Sequence, residues 1–173
     1  MATKIYKFEQ HLRDMNKITP CLWFDNNAEE AARFYISVFK NSKIKQIMHY
    51  GDSGAKASGQ KKGTVAMVVF ELDGQEFMGL NGGPAFTFSE AISLMVNCKD
   101  QKEIDYFWEK LSAGGEKSVC GWVKDKYGLS WQIIPDTFGE MMKDPVRAER
   151  VMSVVMKSTK PDLKKMQDAA EGK

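Results

Sequence analysis

The chain has 173 residues, 43% of them hydrophobic and 28% charged, with 25 basic against 23 acidic side chains and a net charge of +2. This suits one globular domain with an appendage, and it leaves no basic stripe for nucleic acid. No apolar run approaches the roughly 20 residues that a membrane span needs. Cys21, Cys98 and Cys120 lack C-x-x-C spacing and follow no signal-peptide pattern, so reduced thiols in a cytoplasmic protein are expected.

Residues 1–16 read as an extension, with Ile5, Phe8, Leu12 and Met15 on one helical face. Ile18 to Phe24 (ITPCLWF) predicts a strand, and Asp25-Asn26-Asn27 breaks it. Asn27 with Glu30 is a capping-box pattern for a helix running to about Lys40, whose apolar face carries Ala28, Ala31, Ala32, Tyr35, Val38 and Phe39. Lys43 to Tyr50 reads as a second strand. Gly51 to Gly63 is rich in Gly, Ser and Lys and predicts a loop, either a solvated hairpin tip or a lid. Thr64 to Leu72 and Gln75 to Asn81 are strands joined by a tight Asp73-Gly74 turn.

The same order then recurs. Ala91 to Cys98 is a strand, and Asp100 with Glu103 caps a helix whose apolar face carries Ile104, Phe107, Trp108 and Leu111. A poorly defined strand near Lys117–Val119 precedes a hairpin. Gly121–Lys124 and Leu129–Ile134 are its arms, and Asp125-Lys126-Tyr127-Gly128 is its turn, where Gly128 can supply a positive φ. Pro135, with no N–H, should stop the second arm. Beyond it the chain turns helical. Asp144-Pro145 opens one helix with a stripe of Ala148, Val151, Met152 and Val155, and Pro161 opens the last.

The repetition is measurable. Phe34-Tyr35 matches Tyr106-Phe107 at an offset of 72, and Thr19 then matches Ala91. The hairpins match at an offset of 54, which pairs Gly74 with Gly128, Phe77 with Trp131 and Met78 with Gln132. Two βαβββ units imply two small sheets, each backed by a helix. The expected class is α+β: modules at about 17–84 and 90–136 form one domain, and residues 137–173 form a C-terminal helical tail.

ITPCLWF with NNAEEAARFYISVF, FMGLNGGPAFTFSEAISLMVNC, LSAGGE, CGWVKDKYGLSWQIIP and DPVRAERVMSVVMK together resemble the PhnB-like proteins. These carry the domain label "3-demethylubiquinone-9 3-methyltransferase" and fall in the vicinal oxygen chelate (glyoxalase/bleomycin-resistance/dioxygenase) superfamily. The resemblance implies a homodimer in which paired modules curl around a cavity. It also implies a divalent-metal site in the superfamily's enzymes, built of His and Glu on the first and last strands of each module. Those positions carry over as Thr19, Met78, Ala91 and Gln132, and none suits a catalytic divalent metal. His11 and His49 are the only histidines and stand elsewhere. The methyltransferase label has equally thin support, because no Gly-rich loop follows the first strand.

Alternation extends the cavity lining from those positions to Cys21, Trp23, Glu76, Leu80, Ser93, Met95, Ser130 and Ile134. Trp23 is either core filler or an aromatic platform, and Trp122, beside Gly121, either packs or lines the cavity mouth. Gln132 either bonds to backbone or meets a ligand. Glu76 is the one carboxylate in the set, either solvated or a general base. The expectation is a small-molecule binder with no catalytic metal and no cofactor. The alternatives are a superfamily lyase or oxidoreductase with relocated ligands, the methyltransferase of the label, or an antibiotic-sequestering protein.

Overall fold

The computed structural model describes residues 17–173, so the expected extension lies outside the described residues. Two compact units divide the chain at Thr87 and Phe88.

The first unit runs β1 (Cys21–Phe24), α1 (Ala28–Val38), β2 (Lys43–His49), α2 (Asp52–Ser58), β3 (Val65–Leu72) and β4 (Gln75–Asn81). Its sheet order is β1-β4-β3-β2, with β1 parallel to β4 and the other pairs antiparallel. Helix α1 covers one face. Ala28, Ala31, Ala32, Tyr35 and Val38 are buried, and Tyr35 stacks on Phe70 with ring centroids 6.2 Å apart. The small residues let the helix lie close, and the aromatics of β3 and β4 fill what remains.

Two local patterns resolve differently in the fold. The Asn27 side chain does not cap α1; instead the Ala28 N–H donates to Asn81 Oδ1 at 2.8 Å, from the end of β4. A buried tertiary acceptor has displaced the local one. The stretch 51–63 is not a plain loop, since α2 forms within it and buries Ala55. The alanines among its glycines and serines allow one short helix, and an ion pair from Lys62 to Asp52 at 2.7 Å spans it.

The second unit runs β5 (Ser93–Cys98), α3 (Gln101–Ser112), β6 (Glu116–Lys117), β7 (Trp122–Lys124) and β8 (Ser130–Pro135). Then follow α4 (Phe138–Met141), α5 (Pro145–Val155) and α6 (Leu163–Glu171). Its sheet order, β5-β8-β7-β6, repeats that of the first unit. The α3 cap forms as the sequence predicts, with Asp100 accepting from the Glu103 N–H at 2.9 Å. Pro135 stands inside β8 as its last residue, paired with Cys98, and the Asp136 N–H continues the bonding to the Cys98 carbonyl at 2.8 Å. A proline at a strand's end costs no ladder bond when its neighbour supplies one.

The C-terminal helices belong to this second unit. Cys120 and Gly121 donate their N–H groups to the carbonyls of Ser158 and Thr159, both at 2.8 Å. Met141, Val151 and Met166 make a small core of their own. Arg150 donates to the carbonyls of Ala169 and Ala170 at the end of α6, satisfying groups that a helix terminus leaves open. The last helix starts at Leu163 with Asp162 as its cap, two residues later than Pro161 suggests.

Candidate functional site

Each sheet has a helix-covered face and an opposite face, and strand alternation assigns side chains to them as the sequence implies. In the first unit Leu22, Phe24, Phe70 and Phe77 face α1. Cys21, Trp23, Glu76, Met78 and Leu80 take the opposite face, with Cys21 abreast of Met78 and Trp23 abreast of Leu80. Thr19 precedes β1 and is half-buried.

Trp23 is fixed rather than free. Its Nε1 donates to the Gly83 carbonyl at 2.8 Å, and Phe86 meets its ring edge-on at 5.0 Å. The indole lies so close over Gly82 that a Cβ there would meet Cζ2 at 2.2 Å. Glycine at this position is the condition for seating the ring.

Glu76 is buried, and its Oε2 accepts from Lys45 Nζ at 2.8 Å. Lys45 also reaches Glu71 at 3.1 Å, which links β2, β3 and β4 by charge. The hydrogen bond to Glu76 is the largest cause raising Lys45 above its ordinary value, and the bond from Lys45 is the largest cause lowering Glu71. Sequence reasoning singled out Glu76 and missed Lys45. The lysine lies two strands away, where the register shifts between Ile44 and Gln46, and no local pattern places it there.

In the second unit Leu94, Val96, Trp131 and Ile133 sit on the helix-facing side. Ser93, Met95, Ser130 and Gln132 lie opposite, with Trp122 paired to Gln132 and Lys124 to Ser130. Gln132 Nε2 donates to Ser93 Oγ at 2.8 Å. Ser130 is buried and its hydroxyl has no hydrogen-bond partner among the described residues. Ala91, expected on the strand, is exposed in the turn ahead of β5.

That displacement has a geometric origin. Cys21 stands abreast of Met78 in one sheet and Met95 abreast of Gln132 in the other, so the first strands correspond at an offset of 74 rather than 72. Side chains repeat every two residues along a strand, so a two-residue slip preserves the face and passes unseen in sequence. By ladder position the counterpart of Thr19 is Ser93, not Ala91.

The donors at these positions do not fit a catalytic divalent metal. A hydroxyl, a thioether, a second hydroxyl and a carboxamide already bonded to that hydroxyl replace the imidazoles and carboxylates such an ion requires. Among the described residues no group of three or more His, Cys, Asp or Glu side chains is placed to hold a metal ion. His49 is exposed at the end of β2.

Two of the thiols are equally unsuited to nucleophilic work. Cys98 is fully buried, and burial chiefly, then the charges of Glu103, Asp100 and Asp136, push it up to about 12. Cys21 is raised by desolvation even though its residue is exposed. Among the described residues no helix is long and apolar enough to cross a membrane.

Two helix-backed βαβββ units with one strand order define the architecture of the glyoxalase/bleomycin-resistance/dioxygenase fold. Within it, residues 16–134 match the family described as 3-demethylubiquinone-9 3-methyltransferase, and the chain belongs to that PhnB-like family. A solved structure from Bacillus cereus, described as a putative 3-demethylubiquinone-9 3-methyltransferase, PhnB protein, is 39% identical with a TM-score of 0.62. The likeness covers 69% of this chain and 99% of that one. Protein PA1353 from Pseudomonas aeruginosa shares the fold at 19% identity and a TM-score of 0.58, over 70% and 98% of the two chains. No curated protein matches.

Proposed function

We propose that this PhnB-like chain binds a small organic molecule against the sheet faces opposite its helices, without a catalytic metal. The supporting observation is the hydrogen bond from Gln132, at a position that the family resemblance makes a metal ligand, to Ser93, the ladder counterpart of Thr19. The apolar neighbours Met78, Leu80 and Met95, with the indoles of Trp23 and Trp122, supply the surface that small-molecule sites use. The same reading takes the protein as a cytoplasmic homodimer with free thiols. Elemental analysis of protein purified without chelator tests it, and stoichiometric Zn, Ni, Mn or Fe held by these residues overturns it. Native mass spectrometry of the same preparation is expected to show a co-purifying organic ligand.

A second reading, acid–base catalysis through Glu76, has its support in the ion pair between the buried Glu76 and the partly exposed Lys45. A Glu76→Gln variant that retained a discovered turnover would remove it. The methyltransferase of the family's description would require binding of S-adenosylmethionine, read as a thermal shift on adding that compound alone.

A further inference from the structure

The face of the second sheet opposite α3 carries a small polar patch whose unused hydrogen-bonding capacity defines a chemistry. Gln132 Nε2 donates to Ser93 Oγ at 2.8 Å. That bond occupies an oxygen lone pair on Ser93 and leaves the hydroxyl proton free to donate. It also leaves Gln132 Oε1 as an acceptor, with no hydrogen bond among the described residues. One ladder position away, abreast of Ser93, lies Ser130. Its hydroxyl is buried, with 1% of the residue exposed, and has no partner among the described residues. Buried polar groups are nearly always paired, so this hydroxyl, without a partner among the described residues and beside a half-used amide, leaves bonding capacity for a partner that is not among them.

The patch offers donors and acceptors together but no free charge. Lys124, abreast of Ser130, is the nearest cation by register, and its Nζ is already held by Glu90 at 2.5 Å. An anionic carboxylate brings acceptors only and would set one of them against Gln132 Oε1. An ammonium brings donors only and would leave the Ser93 proton unanswered. A group with one donor beside one acceptor satisfies both. Trp122, abreast of Gln132 and half-buried, borders the patch with an indole surface.

We propose that Ser93, Ser130 and Gln132 select a ligand with a neutral planar donor–acceptor group, a carboxamide or lactam, whose apolar body lies against Trp122. This rests on the small-molecule reading above and adds the ligand's chemical class. Titration of the full chain with benzamide, benzoate and ethylbenzene, followed by nitrogen-15 NMR, separates the two. Benzamide is expected to move the Gln132 side-chain amide and the Trp122 indole N–H signals, at an affinity about tenfold above the other two probes, the size of one well-made hydrogen-bond discrimination.

Ser130→Ala removes a hydroxyl that makes no bond among the described residues, so its melting temperature should stay within error while the preference for benzamide falls severalfold. Equal binding of all three probes would overturn the selection and leave small-molecule binding standing. A Ser130→Ala variant that kept the full preference would also overturn it. Absence of any shift with all three would overturn both readings.

Discussion

The Trp131 indole Nε1 donates to Asp125 Oδ2 at 2.8 Å across the hairpin turn, and each residue is 2% exposed. The other carboxylate oxygen accepts from the Tyr127 N–H at 2.8 Å and the Leu129 N–H at 3.1 Å. One buried carboxylate therefore shapes the turn and fixes the tryptophan that holds β8 to α3, while Gly128 completes the turn at φ +88°. Asp125→Ala would leave three N–H donors without this acceptor. The expected loss is about 3 kcal/mol of stability, read as a lower denaturation midpoint at unchanged m-value. Asp125→Asn keeps one acceptor oxygen but sets an amide N–H₂ against a backbone or indole donor, so its loss should be smaller.

Gly82→Ala is expected to destabilise the first unit by about 2 kcal/mol, since its Cβ would overlap the Trp23 ring. The ring cannot simply turn away while Nε1 is bonded to Gly83. A displaced Trp23 indole N–H signal in the NMR spectrum would report the conflict.

Asn81 Oδ1 accepts from the Ala28 N–H at 2.8 Å and its Nδ2 donates to the Val65 carbonyl at 3.0 Å, from a position only 4% exposed. Asn81→Ala therefore removes the first-turn cap of α1 and a bridge to β3 together. A loss of about 2 kcal/mol is expected, with faster hydrogen exchange at Ala28 before the rest of the helix.

Acid should weaken the fold through Glu71, which Lys45 holds below the ordinary 4.5, and through Glu103 and Asp162, lowered first by the N–H groups of Lys99 and Lys165. A carboxylate depressed in the folded state contributes stability above its unfolded value, and that contribution is lost as pH falls through the folded value. Stability should fall below pH 4.5. Lys45 is raised above its ordinary 10.5, so its share is present below that pH and is lost as pH rises through the folded value. In Lys45→Met the deficit against the parent chain should be largest near neutrality and shrink toward both limbs. A pH-independent deficit in urea titrations would contradict this.

Cys98, buried and pushed up to about 12, should resist alkylation at neutral pH until the unit unfolds. Iodoacetamide labelling mapped by mass spectrometry checks this, with Cys21, exposed though raised, expected to react earlier.

Much of the architecture is legible without coordinates. β4 spans Gln75–Asn81 as its alternation states, and the Asp100 cap of α3 follows from its own four residues. The face assignments of Trp23, Met78, Ser93 and Gln132 follow from the two-residue period of a strand. What was not legible depends on residues far apart in the chain. Asn27 has the local pattern of a cap, yet Asn81 performs it. The lysine beside Glu76 comes from a strand whose register is shifted.

By itself the sequence determined the repeated βαβββ order and the helix-facing sides of both sheets. These are properties of local period and residue type. Only the tertiary structure decided the correspondence of Thr19 with Ser93 rather than Ala91, the bond from Gln132 to Ser93, and the Ser130 hydroxyl left without a partner among the described residues. A two-residue slip leaves the pattern of faces unchanged, so register is settled by which strands meet, and hydrogen-bond satisfaction can be counted only after they have met.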